Sequence, residues 1–124
     1  MSIKSAGEIE DEVSKSMVQF EKEYMGRGPT EVKTHIFEDM IFVRLKGVLT
    51  RAEQQLTKGP DGIELIKKVR ASLLETAQPL LYEVVKEITG LDVVTLHTDI
   101  STKSGERVII FTMDGDLERK LSDS

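Results

Sequence analysis

The sequence contains no cysteine. This absence excludes disulfide bonds, thiolate metal sites and cysteine nucleophiles together, and it is typical of a reducing compartment. A chain of 124 residues buries about two-thirds of its unfolded surface, so it needs no such cross-links to hold a core. We therefore expect a cytoplasmic protein.

Long hydrophobic runs are also missing. Apolar stretches such as residues 108–111 are far shorter than the roughly 20 residues that a membrane-spanning helix needs. The opening residues lead into polar sequence and not into the apolar core of a signal peptide. We expect no direct insertion into a membrane.

The sequence also lacks an excess of basic residues. Lysine and arginine number 17 against 22 acidic residues, which gives a formal net charge of -5. Nothing in the chain is more densely basic than Lys67 and Lys68 with Arg70. A nucleic-acid binder normally carries a basic face that releases phosphate counterions, so nucleic acid is excluded as the main partner.

What is present is the composition of a globular domain, with 39% hydrophobic and 31% charged residues. Residues 5–25 form an amphipathic pattern that predicts a helix and ends at Gly26. Its apolar stripe consists of Ile9, Val13, Met17, Phe20 and Tyr24.

After Gly26 the spacing of the apolar residues changes to every second residue, as in a β-strand. Residues 32–37 and 41–46 alternate as strands do, and Glu38-Asp39 between them predicts a β-hairpin. Thr50 with Glu53 has the spacing of a capping box, which predicts a short helix to about Lys58. Gly59-Pro60 breaks that helix.

The longest helical pattern covers residues 61–88 and ends at Gly90. Pro79 lies inside it and removes one hydrogen bond, so a kink or break is expected near residues 75–78. Its predicted core face consists of Ile66, Val69, Leu73, Ala77, Leu80 or Leu81, Val84 and Ile88.

A second hairpin follows, with Val94, Leu96 and Ile100 on one face of its first strand and residues 108–111 in its second. One isolated hairpin cannot bury a face, so both hairpins should join in one sheet. The sequence predicts an α+β fold of order α-ββ-α-α-ββ, in which the first helix and the long helix cover one face of a four-stranded antiparallel sheet. We expect one domain over residues 5–115 and a polar C-terminal tail over residues 116–124, which either forms a short helix or frays.

Two histidines, His35 and His97, fall inside predicted strands, and Asp99 lies near the second. Aligned on one sheet face, these three side chains could form a metal site, although solvated strand residues are the favoured interpretation. Asp114-Gly115-Asp116 resembles a fragment of a calcium loop, but it follows a strand and lacks the remaining ligand positions, which favours a turn.

No paired acid, base or nucleophile stands out, and no glycine-rich phosphate or dinucleotide motif is complete. We therefore expect neither a cofactor nor an enzymatic activity. Phe37 and Phe42 are the unusual residues, because the hairpin pattern puts both on the sheet face opposite Ile41 and Val43. Either the helices cover more of the sheet than expected, or this second face packs on another subunit, most simply in a homodimer.

Residues 28–29, 36–53 and 88–90, together with Val69-Arg70 and the strand end 97–100, resemble the MpsC-like family of bacterial proteins. The similarity covers about residues 9–113, and residues 44–53 are its most specific part. The resemblance implies a soluble component associated with a membrane-potential-generating, sodium-linked or bicarbonate-linked transport system. It implies an accessory role and transfers no catalytic residue.

The residues of that motif also have a structural interpretation. Arg44 can pair with a carboxylate across the sheet, Gly47 permits a tight exit from the strand, and Thr50 with Glu53 caps the next helix. Function is predicted as a non-enzymatic interaction module, a homo-oligomer that docks a membrane transport protein. The alternatives are a small-ligand or metal-ion sensor and, third, a metal-dependent enzyme.

Overall fold

A computed structural model of the protein describes residues 4–122, with the side chain of residue 122 left out. The predicted order α-ββ-α-α-ββ is confirmed, with a further short helix after it. The elements are α1 (Ala6–Tyr24), β1 (Glu31–Phe37), β2 (Met40–Lys46), α2 (Arg51–Leu56), α3 (Pro60–Thr89), β3 (Val93–Ser101), β4 (Glu106–Met113) and α4 (Leu117–Ser122).

The two hairpins form one antiparallel sheet of order β1-β2-β4-β3, as predicted. Ile41 lies opposite Phe111 and Val43 opposite Ile109 in the central pair of strands. These four side chains are fully buried under the helices. Strands β2 and β3 run parallel with β4 between them, and α2 and α3 connect the two.

Local chemistry explains where the helices begin and end. A capping box between Ser5 and Glu8 starts α1, and a second between Thr50 and Glu53 starts α2. Pro60 occupies the first turn of α3, where its missing N–H costs no hydrogen bond. Gly90 ends α3 in the left-handed conformation at φ 78°, as glycine at this position commonly does.

The chain does not break at Pro79, because α3 continues through this residue to Thr89. Proline leaves the carbonyl of residue 75 without its helical donor. Both Glu75 and Pro79 lie on the exposed side of α3, where water can take the place of that donor. Of the kink or break that the sequence predicts, the break does not occur, because the affected carbonyl is on the solvent side of the helix.

The buried face of α3 also differs from the predicted one. Ile66, Ala77 and Leu81 are buried as expected, but Val69, Leu73 and Leu80 are exposed. The buried positions include Arg70, Leu74, Val85 and Thr89 instead. The buried face thus lies one residue further along the chain than predicted. The prediction failed because it assumed that a charged residue such as Arg70 would lie outside the core.

Strand β3 begins with a register shift between Val93 and Thr95. As a result Val93 is buried, whereas Val94 is 57% exposed. The predicted alternation placed Val94 on the face of Leu96 and Ile100, and this assignment is wrong because a bulge reverses the side-chain direction at its residue.

The predicted polar tail contains α4, which packs beside β1. Leu117 is fully buried in the core, and Leu121 packs against it. The N–H of Glu118 donates to the carbonyl of Glu38 in the β1–β2 turn at 3.1 Å. Residues 117–121 thus complete the core instead of forming a separate tail, while residues 123–124 lie outside the described part.

Candidate functional site

The two histidines face the same side of the sheet but lie on its opposite edges. Along one cross-strand row, His35 pairs with Phe42, Phe42 with Ile110 and Ile110 with His97. Three strand-to-strand steps separate the histidines by roughly 14 Å. The structure therefore does not bring His35 and His97 together.

Asp99 has other partners. Its Oδ1 atom accepts a hydrogen bond from the N–H of Ile100 at 2.8 Å and lies 3.6 Å from Nζ of Lys67. The ring of His97 is within hydrogen-bonding distance of the Thr95 hydroxyl at 3.3 Å. Across residues 4–122, no three histidine or carboxylate side chains converge in a way that could hold a metal ion.

The segment Asp114-Gly115-Asp116 is a turn, and its carboxylates accept hydrogen bonds from the backbone. Asp114 Oδ1 accepts from the N–H of Asp92 at 3.1 Å. Asp116 Oδ1 accepts from the N–H of Arg119 at 2.8 Å, which caps the start of α4. Both side chains thus have structural partners.

The motif residues of the N-terminal hairpin also have structural contacts. Arg44 Nη2 lies 2.8 Å from Oε2 of Glu106 on β4, a pair at the sheet surface. Gly47 has φ 66°, and a Cβ atom there would lie 2.5 Å from Oγ1 of Thr30. The N–H of Thr50 donates to Glu53 Oε1 at 2.9 Å, and the N–H of Glu53 donates to Thr50 Oγ1 at 3.2 Å.

Glu53 also anchors a buried network of charges that the sequence analysis missed. Arg70 reaches across from α3 and binds Glu53 with two hydrogen bonds, of 2.7 Å from Nε and 2.8 Å from Nη2. The same Nη2 donates to the carbonyl of Val48 at 2.9 Å. The Glu53 carboxylate therefore both caps the N-terminus of α2 and links α2 to α3.

Two further members complete this network. Glu21 of α1 lies between two arginines. Its Oε2 atom is 3.5 Å from Nη1 of Arg70, and its Oε1 atom is 3.3 Å from Nη1 of Arg107 on β4. Arg107 also donates from Nε to the Thr98 hydroxyl at 3.3 Å. We call Glu21, Glu53, Arg70 and Arg107 the buried charge network; it joins three helices and the sheet.

Burial and pairing act in opposite directions on these groups. Burial raises the pKa of the Glu21 carboxyl, and the charges of Arg107 and Arg70 only partly offset it. Burial likewise lowers the pKa of Arg107 against the charge of Glu21. Burial alone would raise the pKa of Glu53 too, but the hydrogen bonds from Arg70 and Thr50 outweigh burial and lower it.

Three of the four members of the network are closed to solvent. Glu21, Arg70 and Arg107 are each at most 2% exposed, so a substrate cannot reach them in this fold. Two acids face two bases, which leaves the set electrically balanced. The signal for it in the sequence was a charge at helical spacing on an apolar stripe, with Glu21 four residues after Met17 and Arg70 four residues after Ile66.

The first of two apolar surfaces lies on the side of the sheet away from α1 and α3. Its centre is the partly exposed group Phe42, Val108 and Ile110, and at its ends Phe37 is 54% exposed and Val94 57%. We call these five residues the outer sheet patch. Phe37 and Phe42 lie on this outward face, as the hairpin pattern predicts, and Glu118 and Arg119 of α4 lie beside Phe37.

The second apolar surface lies on α3. Leu65, Val69, Leu73 and Leu80 are between 37% and 51% exposed. We call these four residues the α3 stripe. A groove between α1 and α3 continues from Leu80 and is lined by Phe20, Tyr24 and Val84, among others. The sequence analysis missed this surface because it assigned Val69 and Leu73, and Leu80 as an alternative to Leu81, to the core.

Comparisons with known proteins agree with these sequence features. The sequence model of the family described as "Na+-translocating membrane potential-generating system (MpsC)" matches residues 5–115. The uncharacterized protein YbcI of Bacillus subtilis (strain 168) is 47% identical over 118 residues, covering 95% of each chain. The uncharacterized protein YrhF of the same organism is 30% identical over 104 residues, covering 80% of this chain and 82% of that protein.

No solved structure matches the chain. Within residues 4–122, no helix is both long enough and apolar enough to cross a bilayer. With a family match over most of its length and a relative at 47% identity, the chain belongs to the MpsC family.

Proposed function

We propose that the protein is a cytoplasmic, non-enzymatic accessory module of a bacterial membrane ion transport system, and that it docks a protein subunit of that system through the outer sheet patch. The observation that carries the proposal is the open face of the sheet. A four-stranded sheet with one face in water normally shows polar side chains there. Here the centre is apolar and partly exposed, and Phe37 and Val94 at its ends are more than half exposed, as at protein–protein interaction sites.

The charges around the patch favour a protein over a lipid surface. The outward positions of the four strands carry three cations and three anions, a balanced set. A surface that binds anionic lipid needs a cationic excess, which this face lacks. The six charged residues are Lys33, Arg44, Lys46, Glu31, Asp99 and Glu106.

The pairing of these charges supports the same choice. Arg44 is bound to Glu106 at 2.8 Å, and Lys46 lies 3.5 Å from Glu31. Such a rim, polar and already neutralised, surrounds the apolar centre of a typical protein interface. The family description supplies the class of partner, since it names a system that generates a membrane potential by moving sodium.

The absence of an enzymatic role is part of the proposal. Glu21 and Arg107, whose pKa values are shifted by burial, lie beyond the reach of a substrate. Perturbed groups at a catalytic site normally line an accessible cleft. These two are better explained as supports that join α1 to the sheet.

Photo-cross-linking tests the docking. Benzoylphenylalanine would replace Phe37 in protein expressed in a Bacillus subtilis strain that lacks YbcI and YrhF, with the same residue in place of the exposed Lys58 as a control. We expect irradiation to yield an adduct with a membrane transport protein from position 37 and none from position 58. Equal adducts from both positions, or no membrane adduct from position 37, would contradict the proposal.

A functional arm uses the same strain. Wild-type protein and Lys58→Asp should restore the membrane potential, measured with a voltage-sensitive dye in sodium medium, whereas Phe37→Asp should not. Phe37 is more than half exposed, so a charge there should leave the fold intact. Full restoration by Phe37→Asp would count against docking through this face.

A further inference from the structure

The α3 stripe has the spacing of a helix-pairing surface. Leu65, Val69, Leu73 and Leu80, with Thr76 between the last two, follow one another at steps of four, four, three and four residues. This pattern keeps the five side chains on one side of a helix, as in the apolar seam of a coiled coil. The stripe is about 22 Å long.

The stripe is separate from the face that packs on the sheet. Each of its leucines and its valine directly precedes a buried residue, as Val69 precedes Arg70 and Leu73 precedes Leu74. One residue turns an α-helix by roughly 100°, so the stripe points well away from the core. No contact within residues 4–122 reduces its exposure below 37%.

We propose that a second copy of this chain covers the stripe, with the two α3 helices antiparallel across a two-fold axis near Ser72 and Leu73. The spacing is self-complementary in this arrangement. When Leu65 lies opposite the partner subunit's Leu80, Val69 lies opposite the partner subunit's Thr76. Leu73 then lies opposite the partner subunit's Ser72. Each apolar residue of the stripe therefore faces either an apolar or a small residue of the other helix.

The charges beside the stripe select the antiparallel direction. Asp61, Lys68, Glu75 and Lys86 follow one flank of the helix with alternating sign. In the antiparallel pairing, Lys68 comes within two positions of the partner subunit's Glu75, and Asp61 comes equally close to the partner subunit's Lys86. A parallel pairing would place the two copies of this flank on opposite sides of the interface, where these charges could not pair with one another.

Lys86 already lies 2.8 Å from Asp92 of its own chain, so the contact between Lys68 and Glu75 is the informative one. A lipid surface is a poorer occupant. The exposed part of α3 carries five acids and three bases, which anionic lipid would repel. This inference uses residues distinct from the outer sheet patch, so either proposal can fail without the other.

Cysteine cross-linking tests the geometry directly, because the chain has no cysteine of its own. Leu65→Cys and Leu80→Cys variants would be mixed and oxidised. We expect a disulfide-linked dimer from the mixture and little from either variant alone. Efficient cross-linking of Leu65→Cys to itself, or no cross-link in the mixture, would overturn the antiparallel arrangement.

The oligomeric state gives the second measurement. Light scattering of the full chain at about 100 µM should give twice the mass of 13.9 kDa. Val69→Glu with Leu73→Glu should give the monomer with an unchanged circular dichroism spectrum. The matched control, Phe37→Glu with Val94→Glu on the sheet, should remain dimeric. A monomeric wild type, or a dimeric Val69→Glu/Leu73→Glu variant, would overturn the proposal.

Charge reversal sharpens the test. Lys68→Glu should raise the dimer dissociation constant about tenfold, because the two-fold axis creates two repulsive contacts. Adding Glu75→Lys should return the constant to near its original value. Rescue is a result that a merely unfolded or weakened variant cannot give, and a failure of rescue would remove the proposed register.

Discussion

Two faces of α3, one residue apart, reverse the usual distribution of residue types. Arg70 is buried and hydrogen-bonded to Glu53 and to the carbonyl of Val48, whereas Val69 beside it is nearly half exposed. The inner face carries a charge where hydrocarbon is expected, and the outer face carries hydrocarbon where charge is expected. The inner face thus joins four elements through its contacts, while the outer face leaves apolar side chains exposed, and the proposed second copy would cover them.

The largest loss of stability is expected from Arg70→Ala. The change removes the two hydrogen bonds that Arg70 donates to Glu53 and leaves Glu21 with Arg107 as its remaining cation, and breaking a buried pair in this way typically costs about 3–5 kcal/mol. The neighbouring Val69→Ala should cost less than about 1 kcal/mol, because its side chain is largely exposed. Urea denaturation of both variants measures the difference, and equal costs would show that Arg70 is not the anchor described here.

A balanced replacement should cost less. Glu21→Leu with Arg107→Met removes an acid and a base that face each other, while Arg70 keeps its two hydrogen bonds to Glu53. Replacing a buried pair with hydrocarbon of similar size is often close to neutral. We expect the double variant to be more stable than either single variant in the same urea assay. A double variant that is weaker than both would indicate that the pair is needed for the fold.

The two acids of the network should respond to pH in opposite directions. The pKa of Glu21 is raised above its ordinary 4.5, so its contribution to stability is present below pH 4.5 and is lost as pH rises through the raised value. The pKa of Glu53 is lowered from 4.5, so its contribution is present above pH 4.5 and is lost as pH falls through the lowered value.

Urea midpoints between about pH 3 and about pH 8 test these signs. The stability of the wild type relative to Glu21→Gln should decrease as pH rises above 4.5. Its stability relative to Glu53→Gln should decrease as pH falls below 4.5. Parallel slopes for the two variants would show that burial and pairing do not separate the acids as described.

The smallest effect is expected at the sheet surface. Arg44 forms an exposed pair with Glu106, and such pairs contribute about 0–1 kcal/mol. Arg44→Ala should therefore lower the free energy of unfolding by a fraction of the loss at Arg70. Thermal denaturation at low and high salt checks this, since only an exposed pair is screened. A loss comparable to that of Arg70→Ala would remove the distinction between exposed and buried pairs.

The elements that the sequence predicted correctly are those with local causes. The capping box at Thr50 and Glu53, the two-period runs of the hairpins and the glycine stop at Gly90 each act within a few residues. Joining both hairpins in one sheet needed only the rule that an isolated hairpin cannot bury a face.

The main incorrect prediction, the buried face of α3, depends on contacts between residues that are far apart in the chain. Arg70 can be buried only because Glu21, 49 residues before it, and Glu53 meet it in space. Without that knowledge, periodicity assigns the wrong face of α3 to the core. Val94 was misplaced by a bulge, and the burial of Leu117 was missed because the last residues of the chain are otherwise mostly polar.

The candidate site was foreseen only in part. Phe37 and Phe42 were correctly placed on the outward face, but His35 and His97 stand on opposite edges because β2 and β4 lie between their strands. No spacing in the sequence specifies which hairpin strands become neighbours. The α3 stripe was hidden for a related reason, since an interface helix and a core helix share the same apolar period.

The order of the strands has a consequence for biosynthesis. The last strand made, β4, is the one that bonds to both β2 and β3 in the middle of the sheet. Until the ribosome has released residue 113, the first hairpin offers a bare edge to any strand nearby, including one on a neighbouring nascent chain. Synthesis of the protein thus passes through a stage that invites mispairing, and a chaperone that shields β2 would help to bring it to completion.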